Sequence, residues 1–231
     1  MKRILLKLSG ELLTIRDTSP ENNSISTVIQ QIKALSDRYQ FGIVIGGGNL
    51  FRGAHQCKTF GISRSTADMV GMLATIMNGL ILQELFVNAG MSVKLLSSIV
   101  MPSVVTPMNN MVMREALQQG SHIIFSGGTG LAHMTTDTNA VLRALQIGAS
   151  QLWKATKVDY VYDADPVKMP QSKALPKLTY KHALDNRLAV MDATALTLAQ
   201  ENNLVTRIFN IFADNALHHV AQDDQFGSTI T

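Results

Sequence analysis

Apolar residues recur along this chain in two rhythms. Short runs rich in Ile, Val and Leu occupy Arg3 to Leu8 (RILLKL), Phe41 to Ile45 (FGIVI), Val93 to Leu96, Ser121 to Phe125, Gln151 to Ala155 (QLWKA) and Val205 to Phe209, with a last one near Thr229-Ile230. Runs without polar alternation are those of strands covered on both faces, as in a parallel sheet. Between them, apolar positions fall three and four apart, the period of a helix packed on one side. Ile25, Val28, Ile29, Ile32 and Leu35 mark one such helix. Others are expected from about Ser65 to Asn88, over Met108 to Gln119 (ended by Gly120), from Thr135-Thr136-Asp137 through Val141, Leu142 and Leu145, and from about Ala193 to Asn202. Thr14 to Asn23, about a dozen residues after Gly53, and Val167 to Lys177 with Pro170 and Pro176 are expected to be loops. Tyr160 and Tyr162 alternate as on a short strand ahead of an Asp163-Ala164-Asp165-Pro166 turn. Alternating strands and helices predict βαβ units, hence an α/β fold with a mostly parallel sheet and helices on both faces. No repeat, low-complexity segment or linker divides residues 1–231, so one domain is expected, with functional halves split near Gly120.

Composition narrows the class. The chain has 231 residues, 46% hydrophobic and 16% charged, with a net charge of +3. That supports a large core. A low charge density also points to surface buried between subunits. No apolar run reaches the about 18 residues of a membrane span, since Asn78, Gly79, Gln83 and Glu84 break the longest stretch, Met69 to Val87. Met1-Lys2-Arg3 leads straight into a strand, so no signal peptide is expected. The charge is spread rather than blocked, which argues against nucleic acid as a partner. Cys57 is the only cysteine, which excludes an internal disulfide and suits a reducing cytoplasm. The six histidines show no metal-ligand spacing.

The candidate chemistry lies at strand ends. Gly46-Gly47-Gly48 follows the second strand, with Arg52 four residues on. Successive glycines let backbone N–H groups converge on a phosphate, and an arginine adds a fork of donors. The spacing fits neither the Walker loop nor the dinucleotide fingerprint, so a plain tight turn is the alternative. Ser126-Gly127-Gly128-Thr129-Gly130 repeats the theme after the fourth strand, with Thr135-Thr136-Asp137 opening a helix. Those threonines are either caps or phosphate contacts. Lys7 and Lys154 each lie inside an apolar strand. One such lysine can snorkel from a sheet edge, but two make sense if both face one polyanion. Asp68, read as lying in the first turn of its helix, either favours the helix dipole or receives a sugar hydroxyl. Met69, Met72 and Met77 read as core filler. Gly71 and Gly79 suggest a close helix–helix approach. With no nucleophile–base pair and no metal cluster, the set suits phosphoryl transfer, in which a protein mainly positions groups and neutralises charge. A phosphate acceptor is already ionised and needs no general base.

The stretches KRILLKLSGE, VIGGGNLFRG, DMVGMLATIMNGL, GTG followed by TTD, KATKVDYVYDADP, VMDATALTLA and RIFN, in this order, make the chain resemble the bacterial uridine monophosphate kinases of the amino acid kinase family over nearly its whole length. The resemblance implies a three-layer α/β/α sandwich, a homohexamer, and transfer of the ATP γ-phosphate to UMP with Mg²⁺ carried by ATP and no metal site of the protein's own. It implies that residues to about 120 form the acceptor and phosphate half and the rest the ATP half. Lys7, Lys154 and Asp137 would be catalytic. Lys7, Leu8, Ser9, Gly10, Gly48, Arg52, Thr156, Tyr162 and Asp165 would bind ATP. Gly47, Asp68, Thr129, Gly130, Leu131, Ala132, His133, Met134, Thr135 and Thr136 would bind UMP. The chain departs from the family at Leu131, Ala132, His133 and Met134, where TGNPFFTTD is usual, and its loop after Gly10 lacks the glycine-rich form of members activated by GTP. A family kinase with another phosphate or carboxylate acceptor, and a non-catalytic nucleotide-binding relative, are the competing readings. Lys7, Lys154 and Asp137 together argue against the second, since binding alone does not need all three.

Overall fold

The computed structural model describes residues 1–13, 24–166, 168–169 and 171–231. The loop expected over Thr14 to Asn23 falls outside them, as do Val167 and Pro170. Among the described residues, nine strands form one sheet: β1 (Lys2–Leu8), β2 (Tyr39–Ile45), β3 (Val93–Ser97), β4 (Thr106–Pro107), β5 (His122–Ser126), β6 (Gln151–Thr156), β7 (Lys177–Leu178), β8 (Val205–Asn210) and β9 (Ser228–Ile230). Their order is β4-β3-β5-β2-β1-β6-β8-β9-β7. All neighbours run parallel except β8 and β9. The helices are α1 (Ser24–Leu35), α2 (Gly53–Phe60), α3 (Arg64–Asn88), α4 (Asn110–Gln118), α5 (Thr136–Ile147), α6 (Tyr180–Asp185), α7 (Ala193–Glu201) and α8 (Ala216–Gln222).

Strand period 2 sends alternate residues to opposite faces. Ile4, Leu6 and Leu8 of β1 join the stripes of α1, α3 and α8 in one buried cluster. Leu5 joins α4, α5, α6 and α7 in another. The result is the expected three-layer α/β/α sandwich around a mostly parallel sheet.

Several expectations change. The segment after Gly53 is the helix α2, closed at Gly61 with φ 65°; its weak apolar periodicity hid it. The short β4 and β7, the helices α6 and α8, and a 3-10 turn at Gly10–Leu13 were likewise not anticipated. Tyr162 makes only an isolated bridge to Ala174, not a strand with Tyr160. Because α3 begins at Arg64, one residue earlier than expected, Asp68 lies just past its first turn and meets Arg64 at 2.7 Å rather than the bare helix end. Met72 is buried, but Met69 and Met77 are 41% and 56% exposed, because only one stripe of α3 meets the sheet. A Cβ on Gly79 would meet Leu95 and Ser126, so that glycine admits strands, not a second helix. The α3 helix is also long and apolar enough, by length and composition, to cross a membrane. The polar residues that seemed to break it do not. Ala67, Met72, Ala74, Ile76, Leu82 and Phe86 are buried within the fold.

One buried polar group predicts a pH dependence. The Phe41 N–H donates to His122 Nδ1 at 3.0 Å. His122 Nε2 lies 3.1 Å from Ser36 Oγ, which gives its own proton to the Ile32 carbonyl. The ring is therefore neutral with its proton on Nε2, and it packs between Phe41 and Phe86. Burial pushes its pKa down from 6.5 to about 4. The unfolded chain then takes up this proton first as pH falls, so the contribution is complete above pH 6.5 and is lost towards pH 4. The fold is expected to be about 2 kcal/mol less stable at pH 5 than at pH 7.5 through this residue, lowering Tm by about 4–8 °C. A His122→Gln variant, less stable at pH 7.5, should show a flatter Tm profile over that range.

Candidate active site

Lys7 and Lys154 are register partners on the adjacent parallel strands β1 and β6. They therefore emerge on the same face near the carboxyl ends, where open α/β sheets bind ligands. Asp137, in the first turn of α5, stands between them. Lys7 Nζ lies 3.3 Å from Asp137 Oδ1 and Lys154 Nζ 2.6 Å from Oδ2. Lys154 also donates to the Val190 carbonyl. These side chains are 17%, 17% and 11% exposed for Lys7, Asp137 and Lys154. Burial alone would raise the Asp137 pKa, but the two ammonium groups outweigh it and hold the carboxyl below its usual range. Burial, reinforced by the charge of Lys7, pulls Lys154 down against the pull of Asp137. The cluster carries a net charge of +1 and lies in reach of solvent, an arrangement suited to an anion.

The glycine loops frame it. The Gly46 N–H continues the sheet by donating to the Leu8 carbonyl at 3.1 Å. A Cβ on Gly10 would stand 2.3 Å from the Gly46 carbonyl and from Asn49 Oδ1, so only glycine permits this approach. Asn78, fully buried on α3, donates to the Gly46 carbonyl at 2.7 Å and exchanges amide hydrogen bonds with Asn49. Glu11 crosses above, meeting Arg52 at 2.5 Å and also Lys157. Those hydrogen-bonded cations hold its carboxyl below the usual range against some desolvation.

Two cavities lie near the cluster, and Lys154 lines the first. One, of about 470 Å³, is walled by Lys154, Thr156, Tyr162, Asp165 and the 186–190 segment. The other, of about 270 Å³, lies among Gly47, Gly48, Asp68, Thr129, Leu131, Met134, Thr135 and Thr136, with Phe51 and Met72. Thr136 belongs to the second cavity and its neighbour Asp137 holds Lys154 of the first, so the charged cluster stands between them. Asp68 Oδ2 accepts from the His133 N–H at 2.9 Å, and His133 Nε2 lies 3.2 Å from Ser65 Oγ. Thr135 caps α5 by accepting from the Asp137 and Thr138 N–H groups, and its hydroxyl donates to Asp192. Among the described residues, no three His, Cys, Asp or Glu side chains group to hold a metal ion.

The model of the amino acid kinase family matches residues 2–210. The chain belongs to the amino acid kinase family. The chain is 41% identical over 234 residues to a uridylate kinase of Methylococcus capsulatus, covering 99% of the chain and 96% of that relative. The UMP kinase of Ureaplasma parvum superposes with a TM-score of 0.92 at 35% identity, covering 100% of this chain and 98% of that one. The UMP kinase of Bacillus anthracis gives 0.92 at 32%, with coverage of 100% and 96%.

The geometry distributes the expected site residues unevenly. Lys7, Lys154 and Asp137 meet. Thr156, Tyr162 and Asp165 share one cavity, and most of the expected acceptor set shares the other. Gly48 lines that second cavity beside Gly47 rather than the first. The Leu8 side chain is fully buried, which leaves only its backbone for a ligand. Arg52 turns onto Glu11 and the Gly48 carbonyl. Gly130, Ala132 and His133 do not line the second cavity. Glu11, Lys157, Asn49, Asn78 and Asp192 all lie in the stretches that carry the family resemblance, yet nothing in residue spacing singled them out. Their partners come from other segments.

Proposed function

We infer that this chain transfers the γ-phosphoryl group of ATP to UMP, giving ADP and UDP. The observation that carries the reading is the Lys7–Asp137–Lys154 cluster between two cavities, in a chain 41% identical along 99% of its length to a uridylate kinase. We assign the cavity beside β6 to ATP, with Thr156, Tyr162 and Asp165 at the nucleoside end. We assign the cavity beside Gly47, Asp68 and the 129–136 segment to UMP. The two lysines would neutralise charge on the transferring group and Asp137 would hold them apart and oriented, so positioning and electrostatics do the catalytic work. The UMP phosphate attacks as an anion, and no general base is needed. Mg²⁺ enters with ATP as the MgATP substrate. Leu8, Ser9, Gly10, Gly48 and Arg52 are proposed phosphate contacts, the last after release from Glu11.

Residues 1–231 are proposed to act as one catalytic unit in the cytoplasm, consistent with a lone cysteine. The exposed Met69, Met77, Ile81 and Val87 of α3 support self-association, for which we propose a homohexamer.

The experiment is coupled ADP release from MgATP with UMP, dUMP, CMP, AMP and GMP as separate acceptors. UMP is expected to be preferred by at least tenfold in kcat/KM. Preference for another acceptor would transfer the reading to a different family kinase, with the change located at residues 131–134. ATP binding with no turnover would indicate a binding relative.

A further inference from the structure

Arg143 of α5 is 4% exposed, and among the described residues its guanidinium has no carboxylate partner. Burial lowers its pKa from 12.5 to about 10. A buried charge without an ion partner is costly unless neutral groups satisfy its donors. Here neutral groups satisfy Nη1 and Nη2, while the buried Nε has no hydrogen-bond partner. Nη2 donates to Ser98 Oγ at 2.7 Å and to the Gly128 carbonyl at 3.0 Å. Ser98 Oγ itself donates to the same carbonyl at 2.8 Å. Nη1 donates to Gln146 at 2.6 Å, and the guanidinium carbon lies 5.8 Å from the centre of the Phe125 ring.

The carbonyl gripped in this way belongs to a turn that needs holding. Gly127, Gly128 and Gly130 have φ of 72°, 56° and 80°. Three left-handed glycines have many alternative conformations. The turn is tied on its other side by Thr75 Oγ, which accepts the Gly127 N–H at 2.8 Å. It leads directly into Thr129 and Leu131, which line the smaller cavity.

We propose that Arg143 is a positioning residue for the acceptor site, fixing the 127–130 turn from beneath so that residues 129–136 meet the acceptor in one conformation. The proposal rests on the assignment of that cavity to the acceptor. It does not depend on which nucleotide the acceptor is. The planar guanidinium matters, because it holds Nη2 on Ser98 and Gly128 while Nη1 stays on Gln146, and a single ammonium on a flexible stem cannot hold both places in fixed geometry.

The test is steady-state kinetics of Arg143→Met and Arg143→Lys with the wild-type enzyme's preferred acceptor, alongside Tm. Arg143→Met is expected to raise the acceptor KM about tenfold while the ATP KM changes less than twofold, and Arg143→Lys to fall between. Ser98→Ala keeps the arginine, removes the bridging hydroxyl and should raise the acceptor KM about threefold; it carries the test if Arg143→Met fails to fold. An unchanged acceptor KM, or equal changes in both KM values, overturns the proposal. Normal wild-type turnover with such a result overturns this inference alone, whereas a wild-type enzyme that turns over no acceptor overturns the assigned function as well.

Discussion

Replacing Lys7 with alanine is expected to lower kcat about a thousandfold, with both substrates still bound. The ammonium stands at the carboxyl end of a central strand, paired in register with Lys154 and 3.3 Å from Asp137. A donor held there before the reaction begins needs no reorganisation when charge shifts from donor to acceptor oxygens. Removing one such preorganised charge-stabilising group typically costs 10²–10³ in kcat, and a full positive charge sits at the upper end. The structural cost should be small, because Lys7 is partly exposed and Asp137 keeps Lys154. ADP release at saturating MgATP and UMP checks the rate, and Tm checks the fold. A kcat within tenfold of wild type, in a folded variant, would remove Lys7 from the mechanism.

Asp137→Asn is expected to damage both stability and rate, in a way that separates its role from that of the lysines. The carboxylate is the shared counter-ion of two largely buried ammonium groups. Its removal leaves two like charges facing a neutral amide, and breaking a buried pair on this pattern costs about 3 kcal/mol or more. For a chain of this size that corresponds to a Tm lower by about 6–12 °C. The wild-type contribution is present above the ordinary carboxyl pKa and fades as pH falls through the lowered folded value. The variant should therefore lose less stability than wild type on acidification below pH 4. Its kcat should fall at least a hundredfold because the lysines lose their orientation. ATP, a polyanion, should bind at least as tightly as to wild type, since the competing carboxylate is gone. Titration of ATP by calorimetry reads that outcome directly. Weakened ATP binding with unchanged kcat would show that Asp137 serves the nucleotide site and not the arrangement of the lysines.

Several parts of this molecule were legible in its residues. Strands such as RILLKL and FGIVI declare themselves because a segment buried on both faces has no polar alternation. Lys7 and Lys154 stand out inside such runs for the same reason. A charge in an apolar strand is an anomaly that needs a partner, and that partner can be sought at the strand end. The helix α2 was not legible, since its apolar periodicity is weak and its stop signal, Gly61, sits just before the start of α3. Met69 and Met77 were misplaced because composition says that a methionine is apolar but not which side of a helix meets the sheet.

By itself, the sequence determined the layer architecture, the glycine-flanked strand ends and the two lysines, because each depends on local spacing and on the cost of burying charge. Only the tertiary structure decided what these groups touch. The Asp137 bridge between β1 and β6, the Glu11 contact with Arg52 and Lys157, the Asn49–Asn78 pair beneath Gly46 and the Arg143 grip on Gly128 join residues far apart in the chain. Such pairings follow from strand order and helix packing, and no periodicity along a single segment encodes them.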